Sequence, residues 1–415
     1  MIRSRQYDNG IVGLWSDNVD RTPVSELCET VVHECSQRLI GGILLFFSQN
    51  DLDGQSLAGG ISESLIEHAL FSRTDLTGAS PKLVICGCST SGEVTPDGFT
   101  NSSTLVLLLP ALHFTLSAML IDEVSNRGMD SIAESARNHL QHFNRDVKPN
   151  PDHVFSMLFI DGLTYSEEAV TSALHRGLGN IPIIGGSAGD DLQFKGTTQL
   201  LQNHAYTNAA VVILLECRIP FLLFNEHNLI PTEHKLVVTD ADPDKRLVRE
   251  FNAEPAAVAY ARAIGLNPEE LNAMSFASHT VVVRVGGEYH CRAIRKVNPD
   301  LSLSFFCAID KGLVLTVARS EGMVRSTRDA INRFEHHLGN ISMMIGFDCI
   351  YRRLDAQHRN ATGRIETLYT NKNFIGFNSY GEQYHSMHVN QTFTGVAFGQ
   401  ALTIDRESTD RPSHE

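Results

Sequence analysis

One pattern occurs twice in this chain, and it limits the fold more than any other feature. Ile43 to Phe47 is a continuous apolar run, as expected of a strand buried on both faces. A helical stretch from about Gln55 to Phe71 follows, then a strand Leu83–Cys86 that runs into Gly87-Cys88-Ser89. Strands at Thr104–Leu109 and Phe114–Met119 complete the set, and a polar helix near Met129–His142 leads out. From Val154 the order returns. Val154–Ile160 reads as a strand, and Ser166 opens a helix with Glu168 in its first turn. Ile181–Ile184 then runs into Gly185-Gly186-Ser187, followed by strands at Ala209–Leu215 and Pro220–Phe224. Ser89 and Ser187 fall in corresponding places, so the pattern predicts an internally duplicated α/β domain.

Before it, residues 1–39 read as a loose lead-in and a helix from Val24 to Leu39, stopped by Gly41-Gly42. A chain of 415 residues exceeds one ordinary core, and the texture changes after residue 230. Asp240-Ala241-Asp242-Pro243-Asp244 reads as the passage into a second domain. There a helix from Glu254 to Ile264 precedes strands at Thr280–Val285, Glu288–Arg295, Leu303–Ile309 and Leu313–Ala318, an antiparallel meander. A helix Arg325–Leu338, a strand Ser342–Asp348 and a helix near Ile365–Thr370 follow. The expected fold class is therefore mixed α/β. It has a duplicated α/β domain over 40–230, an α+β domain with an antiparallel sheet over 231–403, and a disordered tail over 404–415.

A net charge of −14 argues against nucleic acid or an anionic membrane as partner. No run approaches the length of a membrane span and the first residues lack an export core, which predicts a cytoplasmic protein. The eight cysteines are dispersed without a Cys-x-x-Cys pair, so buried free thiols are expected.

The stretch Gly376 to Gly395 holds most of the candidate chemistry. Its second half, His388 to Ala397, reads as one strand with His388, Asn390, Thr392 and Thr394 on a polar face. A neutral imidazole with room beside it can bind a haem iron, which makes His388 the first candidate ligand and His227 the second. Arg352 could clamp a carboxylate or haem propionate, although pairing with Asp355 or Glu382 is the plainer role. Gly185 to Gly189 matches a Gly-x-Ser-x-Gly nucleophile elbow with Ser187 as nucleophile. However, residues 190–196 read as loop, where an elbow needs a helix. A tight turn is the plainer reading.

Several motifs carry a family resemblance. Gly87 to Glu93, Ile160-Asp161-Gly162-Leu163 and Ile183 to Asp190 resemble the FIST N domain. Pro255 to Tyr260, Cys291-Arg292-Ala293-Ile294, Phe347 to Arg353 and Gly376 to Gln383 resemble the FIST C domain. Within that group Met387 to Gly395, with Val297 to Asp300 and Phe305 to Asp310, is similar to the nitric-oxide-sensing haemoproteins called NosP. The resemblance implies non-covalent haem b, nitric oxide as signal, and a partner sensor histidine kinase acting on biofilm or cyclic-di-GMP signalling. It implies no enzyme activity and leaves a homodimer open. The alternative is a haem-free FIST sensor of a small metabolite such as an amino acid, its pocket lined by Ser187, Asp190, Tyr380 and Glu382.

Overall fold

The computed structural model describes residues 2–16, 24–49, 52–70 and 83–400. The predicted tail over 404–415 lies outside them. Both repeats form as expected. Ile40–Phe47 runs parallel to Val84–Ser89, crossed over by the Gly54–Glu67 helix, and Thr104–Pro110 lies antiparallel beside them. Val154–Asp161 and Ile183–Ala188 repeat this with the Glu167–Leu178 helix and Ala210–Cys217.

A third copy, absent from the sequence reading, is built from Ile341–Cys349, Phe374–Ser379 and Phe393–Gly399. The registers coincide, pairing Leu45 with Gly87, Leu158 with Gly185, and Gly346 with Gly376. Ser89, Ser187 and Asn378 are therefore equivalent. A helix stands before each unit: Val24–Gln37, Met129–Val147 and Met323–Leu338.

The units lock together by exchanging strands. After its parallel pair, each sends a short hairpin to a neighbour. Glu93–Thr95 pairs with Phe374–Ser379, Gln199–Leu201 with Val84–Ser89, and Glu382–Tyr384 with Ile183–Ala188. Last strands cross over as well, Phe114–Ile121 onto Ala210–Cys217 and Phe221–Glu226 onto Phe393–Gly399. Val12–Ser16 closes the ring on Thr104–Pro110. The expected loose N-terminus is thus a strand, because Val12, Leu14 and Trp15 are buried there. At the centre the equivalent Phe46, Phe159 and Phe347 meet, with ring centroids 5.4 Å apart for the first two and 6.0 Å for the last two. Phe377 touches all three.

Between the second and third units an antiparallel domain is inserted, from Leu229–Asp242 to Val314–Ser320. The expected meander does not form: Val314–Ser320 lies between His279–Val285 and Leu229–Asp242, and Glu288–Arg295 splits into Glu288–Arg292 and Ile294–Val297 at opposite edges of the sheet. Asp240 to Asp244 is no linker. It ends the Leu229–Asp242 strand and forms the Pro243–Lys245 turn. The Ala256–Ile264 helix stops where Gly265 adopts φ 77°. None of the eight cysteines is in a disulfide, and all are buried.

Candidate functional site

The expected strand His388–Ala397 is two strands in different sheets. Met387–Val389 closes a hairpin on Glu382–Tyr384, whereas Phe393–Gly399 belongs to the third unit. Gln391, at φ 56°, turns the chain between them. Polar bonds replace the ladder here, with Asn390 Nδ2 donating to Tyr380 O, Gln391 Nε2 to Phe276 O and the Thr392 amide to Glu382 Oε2. Alternation alone reads through such a bend.

The hairpin sets His388 opposite Gln383, in a position that is only 4 % exposed. Gln383 Nε2 lies 3.1 Å from Nδ1 of His388 and donates to Ser187 Oγ at 2.9 Å. Three buried atoms here have no hydrogen-bond partner among the described residues: His388 Nε2, Gln383 Oε1 and Asn390 Oδ1. Gly381 passes so close that a Cβ would strike the imidazole, 2.8 Å from Nε2. Only glycine fits beside this ring.

Charges surround it from both sides of the seam between ring and inserted domain. Arg246 of the insert donates to Glu167 at 2.8 Å and Glu168 at 2.5 Å, at the start of the Glu167–Leu178 helix, and also to the Phe306 carbonyl. Glu168 in turn accepts from the Ala308 amide. Burial lowers the pKa of His388, an effect opposed by Glu168 and Glu167 and reinforced by Arg246 and Arg292. The imidazole is therefore neutral at pH 7. Arg295 lies 4.4 Å over the Phe194 ring and donates to Tyr165 Oη at 2.6 Å. The Nε atoms of Arg292 and Arg295 have no hydrogen-bond partner among the described residues. Phe194, Phe306 and Tyr380 pack as an aromatic wall, with centroids 5.3 to 6.0 Å apart.

Of the residues singled out in the sequence, Ser187, Tyr380, Asp190, Glu382 and His388 come together. Asp190 knots the loop after Ser187, accepting from Tyr380 Oη at 2.5 Å and from the amides of Phe194, Lys195 and Gly196. Glu382 sits beneath the hairpin, fully buried against Ser379 and Thr392, and burial pushes it up to about 8. Ser187 has an amide rather than an imidazole on its Oγ, so no nucleophile–base pair is assembled.

Arg352 and His227 stand apart from this group. Arg352 is spent on Asp348 at 2.6 Å, Asn228 and Thr327, so it is not a free clamp, and its acid is neither Asp355 nor Glu382. His227 accepts from the Leu229 amide beside Arg352, and no hydrogen bond between described residues links either to the hairpin. Arg246, Arg292, Arg295 and Glu167 were not anticipated. They converge only through the insert, and a single sequence carries no signal for that. Among the described residues, no group of three or more His, Cys, Asp or Glu could hold a metal ion.

These groups can bind and orient a ligand through one neutral imidazole, unpaired amide oxygens, guanidinium nitrogens and aromatic faces. A family model described as the FIST N domain matches residues 42–254, and one described as the FIST C domain matches 256–385. The second match stops just short of His388. The chain is 24% identical over 351 residues to "Uncharacterized protein MJ1623" of Methanocaldococcus jannaschii, covering 76% of this chain and 67% of that protein.

Proposed function

This chain belongs to the family of FIST N and FIST C domain proteins, signal-transduction sensors rather than catalysts, and from that premise we propose that it holds its signal at the seam around His388. The observation that carries this reading is the buried imidazole with its Nε2 unpartnered, set between the ring and the inserted domain. A ligand there would touch both bodies and bias how they sit together.

The finer reading is a haem-based nitric oxide sensor that regulates a partner histidine kinase. Its support is the resemblance of the Met387–Gly395 segment to NosP proteins, together with residues of the right kind. His388 Nε2 would hold the iron. Gln383 faces the other ring nitrogen, and the Nε2 lone pair would be free with the amide turned so that Oε1 accepts from Nδ1–H. The aromatic wall suits a porphyrin face, and Arg292 and Arg295 suit propionates. Haem, when bound, supplies a ferrous iron able to take up nitric oxide. The chain's own part is to fix the imidazole and join the two bodies through Arg246.

One observation favours a second reading, a small zwitterionic metabolite such as an amino acid. Glu167 and Glu168 lie near His388 along with Arg246 and Arg292, so charges of both signs are present. Titration of the full chain with haemin separates the two. A saturable Soret shift that is lost in His388→Ala supports haem. A flat titration, with thermal stabilisation by an amino acid, supports the metabolite. Neither response would overturn the seam as the sensing site.

A further inference from the structure

A second site lies away from the seam, where the inserted domain meets the third unit. Two clefts adjoin there, of about 560 Å³ and about 340 Å³, and Arg359 lines both. The larger is bordered by His279, Arg319, Glu321 and His358, the smaller by Arg325, Arg328 and Arg364.

Arg359 is held in place from behind. Its Nε donates to both oxygens of Asp355, at 2.8 and 2.9 Å, and Asp355 is itself 1% exposed and fixed by Ser278 and Ser320. The two terminal nitrogens of Arg359 make no hydrogen bond within the described residues. A guanidinium oriented by a buried acid, with its outer nitrogens free, is a preformed fork for a phosphoryl or carboxylate group. Arg328 and Arg364 have no acidic partner among the described residues. Arg319 and Arg325 have Glu321 and Asp329.

Two helices also begin at the smaller cleft, Met323–Leu338 and Thr362–Asn371. Their capping positions are Gly322 and Ala361, neither start has a side-chain cap, and neither has an acid in its first turn. Each instead places an arginine, Arg325 or Arg364, at its third residue, where the helix dipole disfavours a cation. An anion in the cleft would relieve both starts and the arginines at once. In a chain of net charge −14, five arginines line these clefts, and two of them, Arg328 and Arg364, have no acidic partner among the described residues, which leaves a local surplus of positive charge.

We propose that these paired clefts bind a small phosphate-bearing molecule. Its phosphoryl group would sit among Arg328, Arg359 and Arg364, and its organic part in the larger cleft. A concave, two-lobed site of this size fits a small ester better than a flat protein partner. This proposal is independent of what His388 binds.

The test is calorimetric titration of the full chain with inorganic pyrophosphate and with adenosine 5′-monophosphate. Saturable one-to-one binding is expected, weakened at least tenfold in Arg328→Ala/Arg364→Ala and unchanged in the control Arg284→Ala. Both substituted residues are exposed and unpaired, so the variant should fold as the parent does, which circular dichroism checks. The absence of saturable heat with either probe would overturn the proposal. So would equal affinity in parent and double variant, or equal weakening by Arg284→Ala. Tight binding of poly-glutamate with no response to either phosphate would overturn the small-molecule site in favour of an acidic partner surface.

Discussion

Gln383 and His388 face each other across one hairpin rung, amide nitrogen to Nδ1 at 3.1 Å. The amide chooses the imidazole's tautomer. When its nitrogen donates, the proton sits on Nε2 and the ring offers a hydrogen bond to a ligand. When its oxygen faces Nδ1–H instead, Nε2 presents a lone pair to a metal. Gln383→Leu removes that control without touching the ligand atom. We predict a loss of about 10–100-fold in haemin affinity, the usual cost of deleting a second partner of a ligating histidine. Haemin titration of a variant with parental circular dichroism checks this. Unchanged affinity would remove Gln383 from the site.

The latch between the two bodies makes a second prediction. Arg246 is 4% exposed on its side chain and faces two carboxylates, one of them 3% exposed. Arg246→Ala strands both acids, and removing one partner of a buried ion pair costs about 3–5 kcal/mol. Urea denaturation should show that loss. Adding Glu167→Gln and Glu168→Gln to Arg246→Ala should recover part of it, because the stranded charges are then gone. A triple variant no better than the single one would mean the latch matters for shape rather than charge.

Stability should also fall with rising pH. Burial raises Glu93 to about 7 and Glu382 to about 8 from an ordinary 4.5, against the hydrogen bonds each accepts. Between 4.5 and these values the folded chain holds protons that the unfolded chain has released. The stabilising contribution is therefore complete below about 4.5 and is lost as pH rises through about 7 and 8. The second unit places Gln199 at the register position that Glu93 and Glu382 occupy, so a neutral amide is compatible with this corner. We predict that Glu382→Gln is close to the parent at pH 5 and gains relative to it by roughly 1–3 kcal/mol at pH 8.5, each pKa unit being worth about 1.4 kcal/mol. Parallel melting curves at the two pH values test the sign, and an unchanged difference would mean that Glu382 titrates normally.

Much of the ring was legible because its parallel strands are continuous apolar runs, and the equivalence of Ser89 and Ser187 survives as a shared register. The third copy escaped because Asp348 and Asn378 interrupt its apolar runs and the inserted domain separates it from the others. Its second strand carries Gly376-Phe377-Asn378 where the earlier copies carry Gly87-Cys88-Ser89 and Gly185-Gly186-Ser187. The polar strand face misled about the backbone around His388, since buried side-chain bonds from Asn390 to Thr392 bend the chain. The acid expected for Arg352 was Asp355 or Glu382, because its actual partner, Asp348, lies one helical turn back at the end of a strand.

The repeated glycine gives the last prediction. At Gly87, Gly185 and Gly376 an added Cβ would fall on the carbonyl oxygen of the parallel neighbour, from Leu45, Leu158 and Gly346 respectively. These are the same register position in all three units, so the close approach belongs to the ring itself and not to one turn. It also accounts for the Gly-x-Ser pattern without any nucleophile. A backbone oxygen in a central strand cannot move aside as a side chain can, so Gly87→Ala, Gly185→Ala and Gly376→Ala should each cost more than about 4 kcal/mol or abolish folding. Gly59→Ala is the control. It lies within the Gly54–Glu67 helix, and its nearest foreign atom, Gln55 Nε2, would be 3.8 Å from the new methyl. There the substitution should stabilise by about 0.5–1 kcal/mol through helix propensity and a less flexible unfolded chain. Urea midpoints of the four variants decide the matter. An alanine at any of the three ring positions with a parental midpoint would mean that the strands can part there, and the shared register would no longer explain the motif.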